Sequence, residues 1–208
     1  MQTAPTLPEQ PKLDQRVAGL LAAVRVAFAE KGFDGASMQD LARAAGMSVG
    51  NFYRYFPSKA AIVDQLIAHD LAQVEHDFHT ILAAPDPLQN MRALLRSRLQ
   101  QHQSGNDGPL WAEITAAASR KPEIGCACQH MEAAIAGYMT QAFALVTGLP
   151  VAESQRRFSA HAALIVMLVK SAAMMAPQQG RARDDLNALI LRTIDQLLDE
   201  IASATVKG

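Results

Sequence analysis

A chain of 208 residues with a formal net charge of −1, 50% hydrophobic and 5% aromatic residues, is long enough for a small head plus a body with its own core. Its wealth of Ala, Leu and Met suits packed helices, and no G-x-S-x-G, glycine-rich phosphate loop, H-E-x-x-H or metal-spaced carboxylate set points to an enzyme or a cofactor. The longest apolar run, Ala162 to Val169, is eight residues, against the ~20 that span a bilayer, so the expectation is a soluble, cytoplasmic chain without a membrane partner.

The first dozen residues are polar and hold Pro5, Pro8 and Pro11, so residues 1–12 read as a disordered tail. No apolar core follows a basic start, which argues against a signal peptide. From Leu13 the apolar residues Val17, Leu20, Leu21, Val24, Ala27 and Phe28 recur at helical spacing. Gly32 supplies a left-handed residue to end that helix, and Phe33 turns back as an apolar plug. Ser37 can cap a second helix beginning at Met38, with Asp40 reaching back to it. Gly46 stops this helix near Ala45. Ala42, four residues earlier, is small enough for two helices to cross.

Ser48 is the natural N-cap of a third helix, Val49 to about Phe56, which Pro57 closes. On it, Phe52 and Phe56 sit four apart and anchor one face, leaving Asn51, Tyr53, Arg54 and Tyr55 for another. Arg and Asn present the paired donors and acceptors that match guanine and adenine edges in the major groove. Tyr hydroxyls and Lys ammonium groups more often hold phosphates and fix register. Gly50 lets the backbone approach a phosphate, and Lys59 opens the next helix where charge and free N–H groups can face an anion. A short helix with two tyrosines and an arginine is commonly just a packing element with a wet face. The caps, the Ala42/Gly46 pair and the stop at Pro57 tip the balance toward DNA. Residues 1–60 carry seven Lys/Arg against five Asp/Glu and the remainder twelve against fifteen, so the mild basic excess falls where the motif lies.

These residues resemble the N-terminal DNA-binding domain of the TetR/AcrR family of bacterial regulators over about 13–67. The resemblance runs through Phe28, Gly32-Phe33, Leu41-Ala42, Ala45-Gly46, Ser48, Gly50, Phe52-Tyr53, Tyr55-Phe56 and Ser58-Lys59. It implies an all-α fold: a three-helix helix-turn-helix head over 13–57, on a larger helical effector-binding and dimerisation body over 58–204. It further implies that Val49, Asn51, Tyr53, Arg54 and Tyr55 approach bases or phosphates, with Ser37, Met38 and Lys59 near the DNA backbone. Asn51 stands where Thr or Ala is commoner in that family. The body carries no motif of equal specificity.

Past Lys59 the chain reads as six further helices: Ser58 to Ala83, Pro87 to Gln103, Pro109 to Arg120, Lys121 to Thr147, Val151 to Ala176 and Arg183 to Ala204. The last two carry apolar stripes that include Leu164, Met167, Leu168 and Ala172, then Leu186, Ile190, Ile194 and Leu197. Burial within one subunit explains this spacing, and so does a symmetric four-helix dimer interface. The resemblance favours the homodimer, which would set two recognition helices about one DNA turn apart on a palindromic operator. Trp111, Glu113, Met131, Tyr138, His161 and Met167 are the candidate lining of an effector pocket. Its Met and Trp content suits a largely apolar small molecule.

Cys126 and His130 share a helix face while Cys128 points roughly opposite, so no tetrahedral metal set forms, and the two thiols are badly placed to pair. Free thiols in a reducing compartment are the expectation. The sequence therefore points to a ligand-released, homodimeric repressor acting on double-stranded DNA. The competing reading is a helical small-molecule binding or thiol/metal-sensing module without sequence-specific DNA reading in its ligand-free form.

Overall fold

The computed structural model describes residues 10–104, 107–175 and 181–204. These residues form nine α-helices and no strand. The head consists of α1 (Gln10–Lys31), α2 (Met38–Ala44) and α3 (Val49–Tyr55). The body consists of α4 (Lys59–Ala83), α5 (Pro87–Ser104), α6 (Asp107–Ala118), α7 (Pro122–Thr147), α8 (Val151–Met174) and α9 (Arg181–Ser203).

Local chemistry sets most boundaries. Gly32, Gly46 and Gly148 take φ of 74°, 65° and 71°, ending α1, turning the chain between α2 and α3, and ending α7. Ser37 forms a full capping box: its hydroxyl accepts from Asp40 N–H, and the Asp40 carboxylate accepts from Ser37 N–H. Ser48 and Ser58 cap α3 and α4 by accepting from Asn51 N–H and Ala61 N–H. Some boundaries differ: α1 begins at Gln10, three residues before Leu13, so the last residues assigned to the tail are helical, and α6 and α9 begin at Asp107 and Arg181, two residues before the expected Pro109 and Arg183. The rest of that tail, residues 1–9, lies outside the described residues, as do 105–106 and 176–180 within two expected turns.

Two apolar cores hold the molecule. The first buries Phe28, Phe33, Phe52 and Phe56, each 0–2% exposed, and each such side chain contributes ~1.5–3 kcal/mol by leaving water. It does not stop at residue 57. Ile62, Val63, Leu66 and Ile67 of α4, Leu110, Ile114 and Ala117 of α6 and Ile124 of α7 belong to it. The second core lies wholly in the body, around Phe143, Phe158, Ile165 and Ile194. The helices α6 and α7 are thus shared between head and body.

The stripes on α8 and α9 divide. Ala172, Ile190 and Ile194 are only 2%, 8% and 1% exposed because they fill the subunit's own second core, so they are not available to a partner. Leu186 and Leu197 pack half-buried on the same core. Met167 is 55% exposed and Leu164 and Leu168 are half-buried, leaving an outward apolar stripe on α8 alongside Ala160 and Ala163. Contrary to the expectation from its short apolar run, α8 is, among the described residues, long and apolar enough by mean hydropathy (1.3) to cross a membrane. It also carries Glu153, Arg156, Arg157 and Lys170 and packs against α5, α6, α7 and α9.

Candidate nucleic-acid interface and ligand cavity

The short helix α3 is held from one side and open on the other. Phe52 is fully buried and its ring lies 5.1 Å from that of Phe56. The residues the helix leaves exposed are Val49 at 36% and Tyr53 at 47%, together with Ser48, Gly50 and Arg54. A Cβ built on Gly50 would meet nothing within 4 Å, so the backbone there is open to close approach by a phosphate. Asn51 is half-buried. Tyr55 is half-buried too, packed on the first core with the Arg16 guanidinium 6.0 Å above its ring. Ser37 is exposed at the start of α2, and Met38 leans on the first core.

Lys59 corrects an expectation. Its ammonium turns inward, donating to the carbonyls of Phe33, Asp34 and Ala36 at 2.7, 3.1 and 3.1 Å, and stands 5.1 Å from the Phe33 ring centroid. Burial and the nearby Lys121 ammonium push its pKa below the ordinary lysine value. Geometry makes Lys59 a clamp on the α1–α2 loop rather than an outward anion ligand. Conversely, Arg43 on α2 was missed by the sequence reasoning, which weighed cations on the third helix and at the start of the fourth. Its side chain is 78% exposed, 3.6 Å from Asp40, whose carboxylate is engaged by Lys31 and Ser37. Those two partners, Lys31 first, hold Asp40 well below the usual carboxylate range.

The body forms a partly open cavity of about 310 Å³ between α4, α5, α6, α7 and α8, the lower end of the range for small-molecule sites. Trp111 and Met131 line it as expected. The other four candidates do not. Glu113 faces the head, where its Oε2 accepts from Phe33 N–H at 3.0 Å. Tyr138 stacks on Phe78 with centroids 5.9 Å apart. His161 packs edge-on to Phe158 with its Nε2 3.5 Å from Glu200. Met167 points outward. Each lay on an apolar helix, but a linear sequence does not say which of two faces meets the void. The wall the sequence missed is mostly aliphatic, including Val74, Leu94, Ile135, Val166 and Val169, residues indistinguishable by type from ordinary core.

Charge in this wall is internally matched. Asp77 pairs with Arg98, Glu132 pairs with Lys170 at 2.5 Å, and Asp70 pairs with Arg25 of α1. Cys128 also lines the cavity, and burial pushes its thiol up, which disfavours the reactive thiolate. Cys126 is exposed, and no group of three or more His, Cys, Asp or Glu gathers to hold a metal among the described residues.

The architecture is a helix-turn-helix head carried on a helical, cavity-bearing body. Residues 20–66 match the model for bacterial regulatory proteins of the tetR family. The chain is 40% identical over 73 residues to the HTH-type transcriptional regulator YvdT of Bacillus subtilis, covering 30% of this chain and 37% of that protein. It is 34% identical over 87 residues to the HTH-type transcriptional regulator EthR of Mycolicibacterium smegmatis, covering 42% and 40%. These matches thus span about two fifths of each relative's length. Similarity of fold extends further: Salmonella enterica GusR superposes with a TM-score of 0.67 at 18% identity, covering 94% of this chain and 98% of that one. A TetR transcription regulator from Haloarcula marismortui gives 0.64 at 14% identity, covering 93% and 100%. The similarity in sequence to tetR-family regulators is thus concentrated in the helix-turn-helix head, and the similarity of fold covers most of the chain.

Proposed function

We propose that this protein is a sequence-specific DNA-binding transcriptional regulator, a homodimeric repressor released from a palindromic operator by a small, largely apolar effector. One observation carries the reading: α3 is fixed by a fully buried Phe52 while Val49, Gly50, Tyr53 and Arg54 stand exposed. A rigid helix with an outward face of that chemistry fits the major groove, with Arg54 and Asn51 reading bases and the tyrosines and Arg43 gripping phosphates. The position of Lys59 supports a different role, that of fixing the loop from which α2 departs.

The outward stripe of Leu164, Met167 and Leu168, with Leu189 51% exposed on α9, supports pairing of two subunits through these helices. Such a dimer would space two α3 helices on one face of the duplex, about 34 Å apart. An effector in the cavity would alter that spacing, with α4 joining head to cavity wall. The test is selection of genomic DNA fragments by the purified protein at near-physiological salt. Recovery of one or a few palindromic sites is the expected result. Folded dimeric protein that recovers nothing above background would sink sequence-specific binding by the ligand-free form and favour a small-molecule binding module.

A further inference from the structure

The body grips the head at one small node. Glu113 of α6 accepts from Phe33 N–H, and its Oε2 lies 2.9 Å from where a Cβ on Gly32 would sit, so the carboxylate fits against a glycine backbone. Asp34 bonds both Arg120 and Lys121 of the α6–α7 turn at 2.8 Å, and the Lys121 ammonium stands 5.2 Å from the Phe33 ring centroid. From the other side Lys59 holds the carbonyls of residues 33, 34 and 36. The loop leading into the α2 cap is therefore clamped between α4 and the α6–α7 hairpin.

The same hairpin forms part of the cavity. Trp111 and Thr115 line the void two residues on either side of Glu113, which at ~100° per residue places Glu113 on the opposite face of α6. Trp111, Cys128 and Met131 both line the cavity and pack on the core that holds α1, α2 and α3. Packed interiors transmit displacement rather than absorb it.

We propose that Glu113 and Asp34 are positioning residues through which whatever fills the cavity sets the orientation of the α1–α2 loop, and with it the recognition helix. This rests on the reading of the cavity as the effector site. An occupant pressing on Trp111 moves α6 as a unit, and Phe33 N–H either follows Glu113 or loses its acceptor. Asp34, tied to the turn that begins α7, constrains the direction. The path runs from α6 directly into the head, beside the covalent route along α4.

The experiment fills the cavity from within and reads the head without DNA. Val166→Phe on α8 places a ring in the void, and it is made in the full-length chain with and without Glu113→Ala plus Asp34→Asn. Amide hydrogen exchange is followed across residues 32–41. Val166→Phe alone should change exchange there by about fivefold or more, and by under about twofold when the node is removed. Glu113→Gln, which keeps an oxygen for Phe33 N–H, should restore the response, as loss of mere packing would not. If helicity shows that Val166→Phe does not fold, Ile135→Phe fills the same cavity from α7. A head unmoved by filling, or moved equally in both backgrounds, overturns the coupling. Because no operator enters the measurement, failure of DNA recognition would be seen separately, in fragment selection.

Discussion

Replacing Lys59 with methionine separates two roles that the sequence alone merges. Methionine keeps an unbranched stem against Phe33 and removes the ammonium. The lost contacts are three hydrogen bonds to backbone carbonyls at 2.7, 3.1 and 3.1 Å and a cation over the Phe33 ring. At ~1 kcal/mol net for each bond, set against the recovered cost of burying an ammonium and some rehydration of the carbonyls, the change should destabilise the head by about 2 kcal/mol. For a chain of this size that is a fall in Tm of about 4–8 °C. Thermal unfolding by circular dichroism measures it, and operator affinity across a salt series measures the other role. A clamp predicts a lower Tm with an unchanged salt slope. A phosphate ligand predicts an unchanged Tm and a slope reduced by about one unit. The second pattern would refute the inward assignment.

Other expectations follow from the same geometry. Arg54→Ala should weaken operator binding by ~1–3 kcal/mol and relax preference at one base pair if the guanidinium reads a guanine, whereas uniform loss over all sequences assigns it to phosphate. N-phenyl-1-naphthylamine, which is neutral, should bind the cavity at least about tenfold more tightly than 1-anilinonaphthalene-8-sulfonate, because an added sulfonate would need to break one of the wall's ion pairs. Equal affinities in a fluorescence titration would overturn that view of the wall. Hydrogen bonds from Lys121 and then Arg120 lower the pKa of Asp34 from 3.8 to about 2. A carboxyl depressed on folding adds stability above its unfolded value and loses it as pH falls toward the folded one, so Asp34→Asn should show a shallower decline in Tm between about pH 4 and pH 2 than the parent. Gly46→Ala meets open space but φ of 65°, so it should cost roughly 1 kcal/mol by backbone strain, and Gly46→Asn less.

What the sequence disclosed was the chemistry that acts over a few residues. Ser37, Ser48 and Ser58 cap helices within three positions of themselves, and Gly32 and Gly46 end them by their own φ, so the head was legible almost residue by residue. Contacts closed by folding were not legible. Glu113 looked like a pocket group because its partner, Phe33, lies 80 positions away. Lys59 looked outward because the three carbonyls that hold it belong to a loop more than 20 residues earlier. Ile190 and Ile194 follow the same spacing whether a stripe meets its own subunit or another. Only the placement of α5, α7 and α8 against α9 decides between them.

Trp111 is the only tryptophan in the 208 residues, and it sits where the cavity wall meets the core of the head. The unmodified protein consequently carries its own optical gauge. Indole emission responds to the polarity of its surroundings, so a compound that displaces solvent from the void should shift the spectrum without any dye or label. A library screened on native fluorescence alone would report occupancy directly. A compound that fills the cavity could then be sought with the protein alone, in the absence of DNA.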